Sequence, residues 1–222
     1  MNLRNVILVA LVLSTVALAQ AVDTPFQVRY AANLNIGESY INITNSGANG
    51  APLLGPGFGG ASGNMCVNVY AFSPDEQEVS CCSCLVTPNA LVNLGVARDL
   101  TSNTLTQVVT NSVVIKLVGT LAGPTGTATG PTACNNSAAL AGSATFPIVS
   151  GMLAWGTTVH NGPPGVPGYT VTETPFSPAT LSQGTGSELA SIVGRCASII
   201  GNGTGHGICG SCKSGGLGAT KL

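Results

Sequence analysis

The sequence predicts a mainly β protein, a disulfide-stapled domain of the β-sandwich type with one amphipathic helix near the C-terminus. Apolar and polar residues alternate along several short segments, which is typical of half-buried strands. Connectors rich in the chain's 30 glycines and 13 prolines separate these segments. The chain also carries eight cysteines, and small exported domains use cysteines as a framework of disulfides.

Residues 1–19 are predicted to be an export signal. Arg4 supplies a positive charge, an apolar stretch follows from Val6 to about Leu18, and Ala17-Leu18-Ala19 matches the small-x-small pattern of a cleavage site. The apolar run is shorter than the ~20 residues that a membrane span needs. We therefore expect residues 20–222 to form a single secreted β domain, extracellular or at the cell surface, that does not contact the membrane after signal cleavage.

The longest alternating stretch lies near the new N-terminus and predicts a strand over residues 26–36. Every second residue of this stretch is apolar, whereas the residues between are mostly polar. The apolar positions are Phe26, Val28, Tyr30, Ala32, Leu34 and Ile36. Such a strand can pair within its own domain, or it can act as a donor strand that completes the sheet of a neighbouring subunit. The sequence leaves both arrangements open.

Further strands are predicted wherever alternating or β-branched residues lie between turn signals. They are Tyr40–Thr44, Met65–Phe72, Glu78–Val86, Leu91–Val96, Leu105–Val109, Ser112–Gly119, Ile148–Val159 and Tyr169–Thr174. The spacing between these segments favours a sandwich or a barrel-like sheet. A glycine-rich tail follows Cys212.

One helix is predicted after Thr185-Gly186-Ser187-Glu188, which has the spacing of a capping box. Apolar residues then fall on one helical face, and Gly201 ends the helix. They are Leu189, Ile192, Val193, Cys196, Ile199 and Ile200. Because Cys196 lies on this apolar face, we expect a buried disulfide between the helix and the sheet.

The cysteines are interpreted as structural disulfides. They are Cys66, Cys81, Cys82, Cys84, Cys134, Cys196, Cys209 and Cys212, and the sequence does not choose among their possible pairings. Cys209-Gly210-Ser211-Cys212 has the spacing of thiol oxidoreductases but lacks the helix start that stabilises a thiolate. Cys82, Cys84, Cys209 and Cys212 could together hold zinc. We expect neither a metal site nor a cofactor.

Catalysis and nucleic-acid binding are not expected. Charged residues make up 7% of the chain, so the sequence offers no basic surface for nucleic acid. Its histidines, His160 and His206, lie in glycine- or proline-rich loops, and it contains no G-x-S-x-G nucleophile motif. Asn42, Asn135 and Asn202 begin N-glycosylation sequences, whose use depends on the host.

Three segments resemble a group of exported, cysteine-rich bacterial proteins to which no activity is assigned. They are Cys66–Gln77, Ser80–Asn89 and Thr170–Cys212. The resemblance covers most of the mature chain and implies a secreted bacterial protein, but it brings no catalytic residues.

We expect an extracellular structural protein whose partners are copies of itself, in a pilus-like filament or a surface layer. Low charge favours self-association because it removes the repulsion that keeps sheet edges apart. The alternative is a secreted binding module for carbohydrate or a surface ligand, in which Trp155 with Tyr169 or Tyr70 stacks on a sugar.

Overall fold

A computed structural model describes residues 24–51, 62–107, 109–130, 132–165 and 167–210. The predicted export signal and the tail from residue 211 onward, including Cys212, lie outside the described residues.

The described chain folds into two antiparallel sheets, which confirms the prediction of a mainly β, disulfide-stapled fold of the sandwich type. The strands are β1 (Phe26–Ala31), β2 (Tyr40–Asn45), β3 (Met65–Phe72), β4 (Glu78–Val86), β5 (Leu91–Gly95), β6 (Val113–Leu121), β7 (Met152–Asn161), β8 (Tyr169–Pro175) and β9 (Ser177–Pro178). Sheet A has the order β4-β3-β6-β1-β9, and sheet B has the order β5-β2-β7-β8. The chain passes from sheet B to sheet A between β8 and β9.

The two sheets pack through a shared apolar core. Alternation along each strand directs every second side chain towards the opposite sheet. In sheet A these residues include Val67 and Val69 of β3 and Ile115 of β6, and in sheet B they include Ile41 and Ile43 of β2, all fully buried.

A layer of helices covers the other face of sheet A. Its helices are α1 (Ser137–Leu140) and α2 (Glu188–Gly201). From α2, Leu189, Ile192 and Ile199 pack against Phe26 and Tyr70 of the sheet. The part of sheet A around β3 is therefore buried on both faces, which explains why every residue of β3 except Phe72 is fully buried.

Helix α2 matches the predicted helix, but its cap differs. Ser187 is the N-cap, and its Oγ accepts a hydrogen bond from Ala190 N over 3.2 Å. The Ser182 hydroxyl accepts from Glu188 N over 2.9 Å. The Glu188 carboxylate does not turn back to the helix start; it pairs with Lys116 of β6 over 2.5 Å.

Other predictions need correction at their ends. The N-terminal strand stops at Ala31, because Asn33 adopts a left-handed φ of 61° and the chain turns towards sheet B. The predicted strand positions Ala32, Leu34 and Ile36 therefore lie in the β1–β2 connection.

The segment Leu105–Val109 forms no strand in its described residues. Gln107 has a φ of 54°, which breaks extended backbone. Two short helices, the π-helical turn Val96–Thr101 and α1, were not predicted, because neither is long enough to repeat apolar residues at helical spacing.

Candidate assembly edges and disulfide framework

The adjacent cysteines of β4 point to opposite faces of sheet A because side chains alternate along a strand. Cys81 points to the helical layer and is bonded to Cys196 of α2, across 115 residues of sequence. Cys82 points to the sandwich core and is bonded to Cys209 across 127 residues. The expected disulfide between helix and sheet is confirmed, and β4 holds chain segments on both of its faces.

The remaining cysteines complete the framework. Cys66 of β3 is bonded to Cys134, which holds the segment before α1 on the helical side. Cys84 is also disulfide-bonded. Cys82 and Cys209 are bonded to each other, so the zinc site considered from the sequence lacks two of its four thiolates. For the same reason, Cys209 does not pair with Cys212 within the C-x-x-C sequence.

Glu78 lies beside the helix-to-sheet disulfide. Its carboxyl oxygen lies within 4.8 Å of the Sγ atoms of Cys81 and Cys196. The side chain is 5% exposed, and neither carboxyl oxygen has a hydrogen-bond partner. Burial raises the pKa of Glu78 to about 8, although the positive charges of Arg195 and Lys116 oppose this shift. The group is therefore mainly protonated below that pH.

A shallow depression of about 310 Å³ lies near these disulfides, beside Ser83, Asn135 and Ile208. The cysteines that line it (Cys81, Cys82, Cys134 and Cys209) are all bonded. The sulfur atoms in its wall are therefore unavailable as nucleophiles or metal ligands.

Strand β1 pairs along its whole length with β6 but only at two positions with β9. Its register with β6 runs from Phe26 opposite Val118 to Ala31 opposite Val113, whereas β9 pairs only with Gln27 and Val28. Phe26 O accepts from Ala179 N on the β9 side. By alternation, Tyr30 directs its N–H and C=O to the same side, beyond the end of β9.

The polar side chains of β1 are more deeply buried than the sequence pattern predicts. Gln27 donates to Met152 O of β7 over 2.8 Å. Arg29, 8% exposed, donates from Nη2 to the Thr158 hydroxyl over 2.8 Å and from Nη1 to Thr174 O over 2.9 Å. Burial lowers the pKa of Arg29. Both residues bind sheet B, whereas Tyr30 on the predicted apolar face is 61% exposed.

Strand β8 is an edge strand of sheet B, and all seven of its residues are exposed. Its one neighbour among the described strands is β7, with Thr157 opposite Glu173 and Val159 opposite Val171. Gly162 N donates to Gly168 O at one end of this pair, and Phe176 N donates to Ala154 O at the other. Even-numbered residues of β8 therefore bond to β7, and odd-numbered residues direct their backbone groups outward.

The outer face of sheet B is uncharged except for Glu173 and carries part of the proposed sugar platform. Trp155 is partly buried there, next to Asn42 in the adjacent strand. The Asn93 amide donates to the Asn42 Oδ1 over 2.8 Å. Tyr169 is exposed on the same face, but it lies opposite Asn161, six residues along β7 from Trp155 and so ~20 Å away, and the two rings do not form one platform. Tyr70 is not part of it, because it is fully buried under the helices and donates to Ala138 O.

The histidines form no acid–base pair with a carboxylate in the described residues. His160 lies in β7 and not in a loop as predicted, and its Nε2 is 2.9 Å from the Thr172 hydroxyl. His206 Nδ1 lies 2.9 Å from Asn103 Oδ1. Of the possible glycosylation sites, Asn135 and Asn202 lie in exposed turns, whereas the Asn42 side chain already accepts the bond from Asn93.

Sequence reasoning missed Glu78, Arg29 and the open edge of β8. Glu78 follows a turn in the sequence and looks solvated, and Arg29 falls on the polar side of an alternating strand. For β8, the sequence showed only that apolar and polar residues alternate. Alternation does not tell which strands lie beside it in the sheet.

Comparisons with family models, with curated proteins and with solved structures gave no match to this chain. The resemblance to exported bacterial proteins therefore remains a prediction. Within the described ranges, no helix has the length and apolar composition that crossing a membrane requires.

Proposed function

We propose that the protein is an extracellular structural subunit that assembles with copies of itself by exchanging its N-terminal strand. The observation that carries the proposal is the position of β1: it comes first among the described strands, yet it lies inside sheet A beside β6. In the exchanged form, β1 of one subunit fills the same position in the next subunit. Disulfides fix the rest of the fold, three of them between described cysteines, and β1 contains no cysteine.

The contacts of β1 give such an exchange its affinity. Phe26 and Ala31 are buried in the helical-side and sandwich cores, respectively. Gln27 and Arg29 bond to sheet B. An exchanged strand recreates all of these contacts between subunits, so closed and exchanged forms differ mainly in the connection that follows β1. That is the physical condition under which domain swapping proceeds at low cost.

The connection from residue 32 to residue 39 supplies the hinge. It contains no strand. At its start Asn33 and Leu34 donate to Val159 O and Asn111 O, and at its end Glu38 and Ser39 accept from the backbone of residues 96–98. Breaking the two bonds at its start lets residues 32–37 extend away from the subunit, and an extended segment of six residues spans up to ~20 Å.

A pair of cysteines tests the exchange. Tyr30 and Val114 lie opposite each other on β1 and β6, in a pair without mutual hydrogen bonds, where Cα atoms approach to ~4.5 Å. In the variant Y30C/V114C the new disulfide joins neighbouring subunits if the strand is exchanged. Non-reducing electrophoresis of oxidised material from the culture medium should then show a ladder of covalent oligomers.

The matched control is N161C/Y169C, which places cysteines at an equivalent opposed pair of β7 and β8. This pair belongs to one hairpin and should form only an intrachain bond, so its material should run as a monomer. A monomer for Y30C/V114C as well, from material that forms fibres in the electron microscope, would overturn the strand exchange.

Truncation gives a second test. A chain without residues 20–36 should fold but should not polymerise, and it should bind a peptide of residues 24–36, because the position beside β6 is then vacant. Polymerisation of this truncated chain would be incompatible with a donor role for β1.

The outer face of sheet B supports a second candidate function, a carbohydrate-binding module. Trp155 and the neighbouring Asn42 combine a ring face with an amide group on a nearly uncharged surface, which suits neutral sugars. Binding of the monomer to a neutral glycan on an array, with loss of binding in W155A, would favour this candidate.

A further inference from the structure

The exposed edge of β8 has the properties of a sheet edge that binds another strand. Tyr169, Val171 and Glu173 each direct one N–H and one C=O outward, as the parity of the β7 pairing requires. The strand has no bulge in its pairing with β7, and Glu173 is its one charged residue. Pro175 ends the row of outward donors. Charged side chains and bulges are the usual protection of edge strands against pairing.

The edge of β5 on the other side of sheet B differs from this one. Val96 N donates to Ser39 O, so the odd-numbered residues of β5 direct their backbone groups outward. One of these groups, Gly95 N, donates to the Asp99 carboxylate over 2.7 Å, and Glu38 accepts from Ala97 N over 2.7 Å just beyond it. A side chain of the chain itself therefore covers one end of this edge, whereas no such bond reaches the outward groups of β8 in the described residues.

We propose that β8 is a contact for a second copy of the same chain, in which two β8 strands pair antiparallel about a two-fold axis at Val171. This rests on the proposed self-assembly, but it uses a different edge from the strand exchange. The two copies join their B sheets into one continuous sheet across the axis. The contact is isologous, since each copy contributes the same residues.

The hydrogen-bond pattern selects this register. With Val171 opposite Val171 of the other copy, Tyr169 lies opposite Glu173, and all the outward groups fall in hydrogen-bonded pairs. The three donors and three acceptors of each strand are then all used. A shift by one residue would place outward groups opposite groups already bonded to β7, so that they would remain unpaired.

The side chains agree with the same register. On the outer face, the two exposed Val171 side chains meet at the axis. The two Glu173 carboxylates each lie opposite a tyrosine rather than opposite each other, which avoids repulsion. On the inner face, Thr170 of one copy lies opposite Thr172 of the other, a pairing of hydroxyl-bearing residues that is favourable across strands.

Cysteine crosslinking tests the register. V171C places two cysteines opposite each other, with Cα atoms ~5.5 Å apart, within the range of a disulfide. Mild oxidation of purified protein should give a covalent dimer. Y169C alone and E173C alone should give none, because each cysteine is four residues away from its copy along the strand, but a mixture of Y169C and E173C should give the heterodimer.

Charge variants supply the second measurement. V171K and V171E each place like charges opposite each other at the axis, so each should sediment as smaller assemblies than the wild type at the same concentration. An equal mixture of the two should recover the wild-type sedimentation at low salt. Since Val171 is 61% exposed, neither change removes core contacts.

The outcomes separate this proposal from the strand exchange. Equal crosslinking of V171C, Y169C and E173C, or sedimentation of V171K identical to that of the wild type, would overturn the β8 contact. A monomeric result for Y30C/V114C with a specific V171C dimer would overturn only the exchange. Covalent ladders from Y30C/V114C without any V171C dimer would overturn only the β8 contact.

Discussion

The side chain of Arg29 on β1 crosses directly over Gly156 on β7. A Cβ at residue 156 would lie 2.7 Å from Arg29 Nε and 2.9 Å from Tyr40 O. Both distances are shorter than real contacts, so only glycine leaves room for the guanidinium that bonds β1 to Thr158 and Thr174 of sheet B.

Gly156→Ala should therefore lower the free energy of unfolding by about 1–3 kcal/mol, the usual cost of overpacking. Urea denaturation measures the change. Gly194→Ala is the matched control, because Gly194 lies in α2 with open space around it; alanine there should stabilise the helix by up to ~1 kcal/mol. If Gly156→Ala is as stable as the wild type, the Arg29 side chain does not require a glycine at residue 156.

Glu78 should make the protein less stable as the pH rises from about 4.5 to about 8. The pKa of this buried carboxyl is raised from 4.5 to about 8 in the folded state, so between these values the folded chain binds a proton that the unfolded chain has released. Unfolding is then increasingly favoured as the pH rises, and the loss levels off above the folded pKa. Each unit of pKa difference corresponds to about 1.4 kcal/mol.

Glu78→Gln removes this titration and should flatten the stability curve in that window, measured by urea denaturation at a series of pH values. Glu173→Gln, at an exposed position of β8, should follow the wild-type curve. A wild-type slope that persists in Glu78→Gln would assign the pH dependence to other groups.

The Cys81–Cys196 disulfide should determine whether α2 remains docked. Replacing both cysteines by serine should cost about 2–5 kcal/mol, and hydrogen exchange should accelerate first in α2. The corresponding replacement of Cys66 and Cys134 should leave exchange in α2 near the wild-type rate, because that bond holds a different segment. Equal acceleration in both variants would contradict separate roles for the two bonds.

Thiol titration tests the structural role of the cysteines. Every described cysteine is disulfide-bonded, so unfolded, unreduced protein should react with almost no thiol reagent. Mass spectrometry of proteolysed protein should recover the Cys82–Cys209 crosslink. Recovery of a Cys209–Cys212 bond instead would revive the redox interpretation of the C-x-x-C sequence.

Tyr70→Phe should cost about 1–2 kcal/mol, although the ring remains in place. The Tyr70 hydroxyl donates to Ala138 O over 2.8 Å in a fully buried site, and its removal leaves that carbonyl without the bond. Burial raises the pKa of Tyr70 above its ordinary value, so the hydroxyl remains a donor at neutral pH. Thermal denaturation measures the effect, and Tyr169→Phe on the surface is the control.

Local patterns predicted the strands and the helix because these depend on neighbouring residues. β3 and β4 begin and end where alternation and turn residues placed them. The N-terminal strand was predicted too long because its alternation continues past Ala31, whereas the chain must turn at Asn33 to reach sheet B. The same alternation gave no sign that Gln27 and Arg29 would be buried by sheet B.

The sequence by itself determined that this is a mainly β chain with a helix whose Cys196 faces the sheet. It could also place Cys81 and Cys82 on opposite faces, since side chains alternate along a strand. Only the tertiary structure decided which distant cysteines meet, that Glu78 is enclosed beside one of the disulfides, and that β7 is the one neighbour of β8 among the described strands. These properties depend on contacts between residues far apart in the chain, and local patterns carry no information about them.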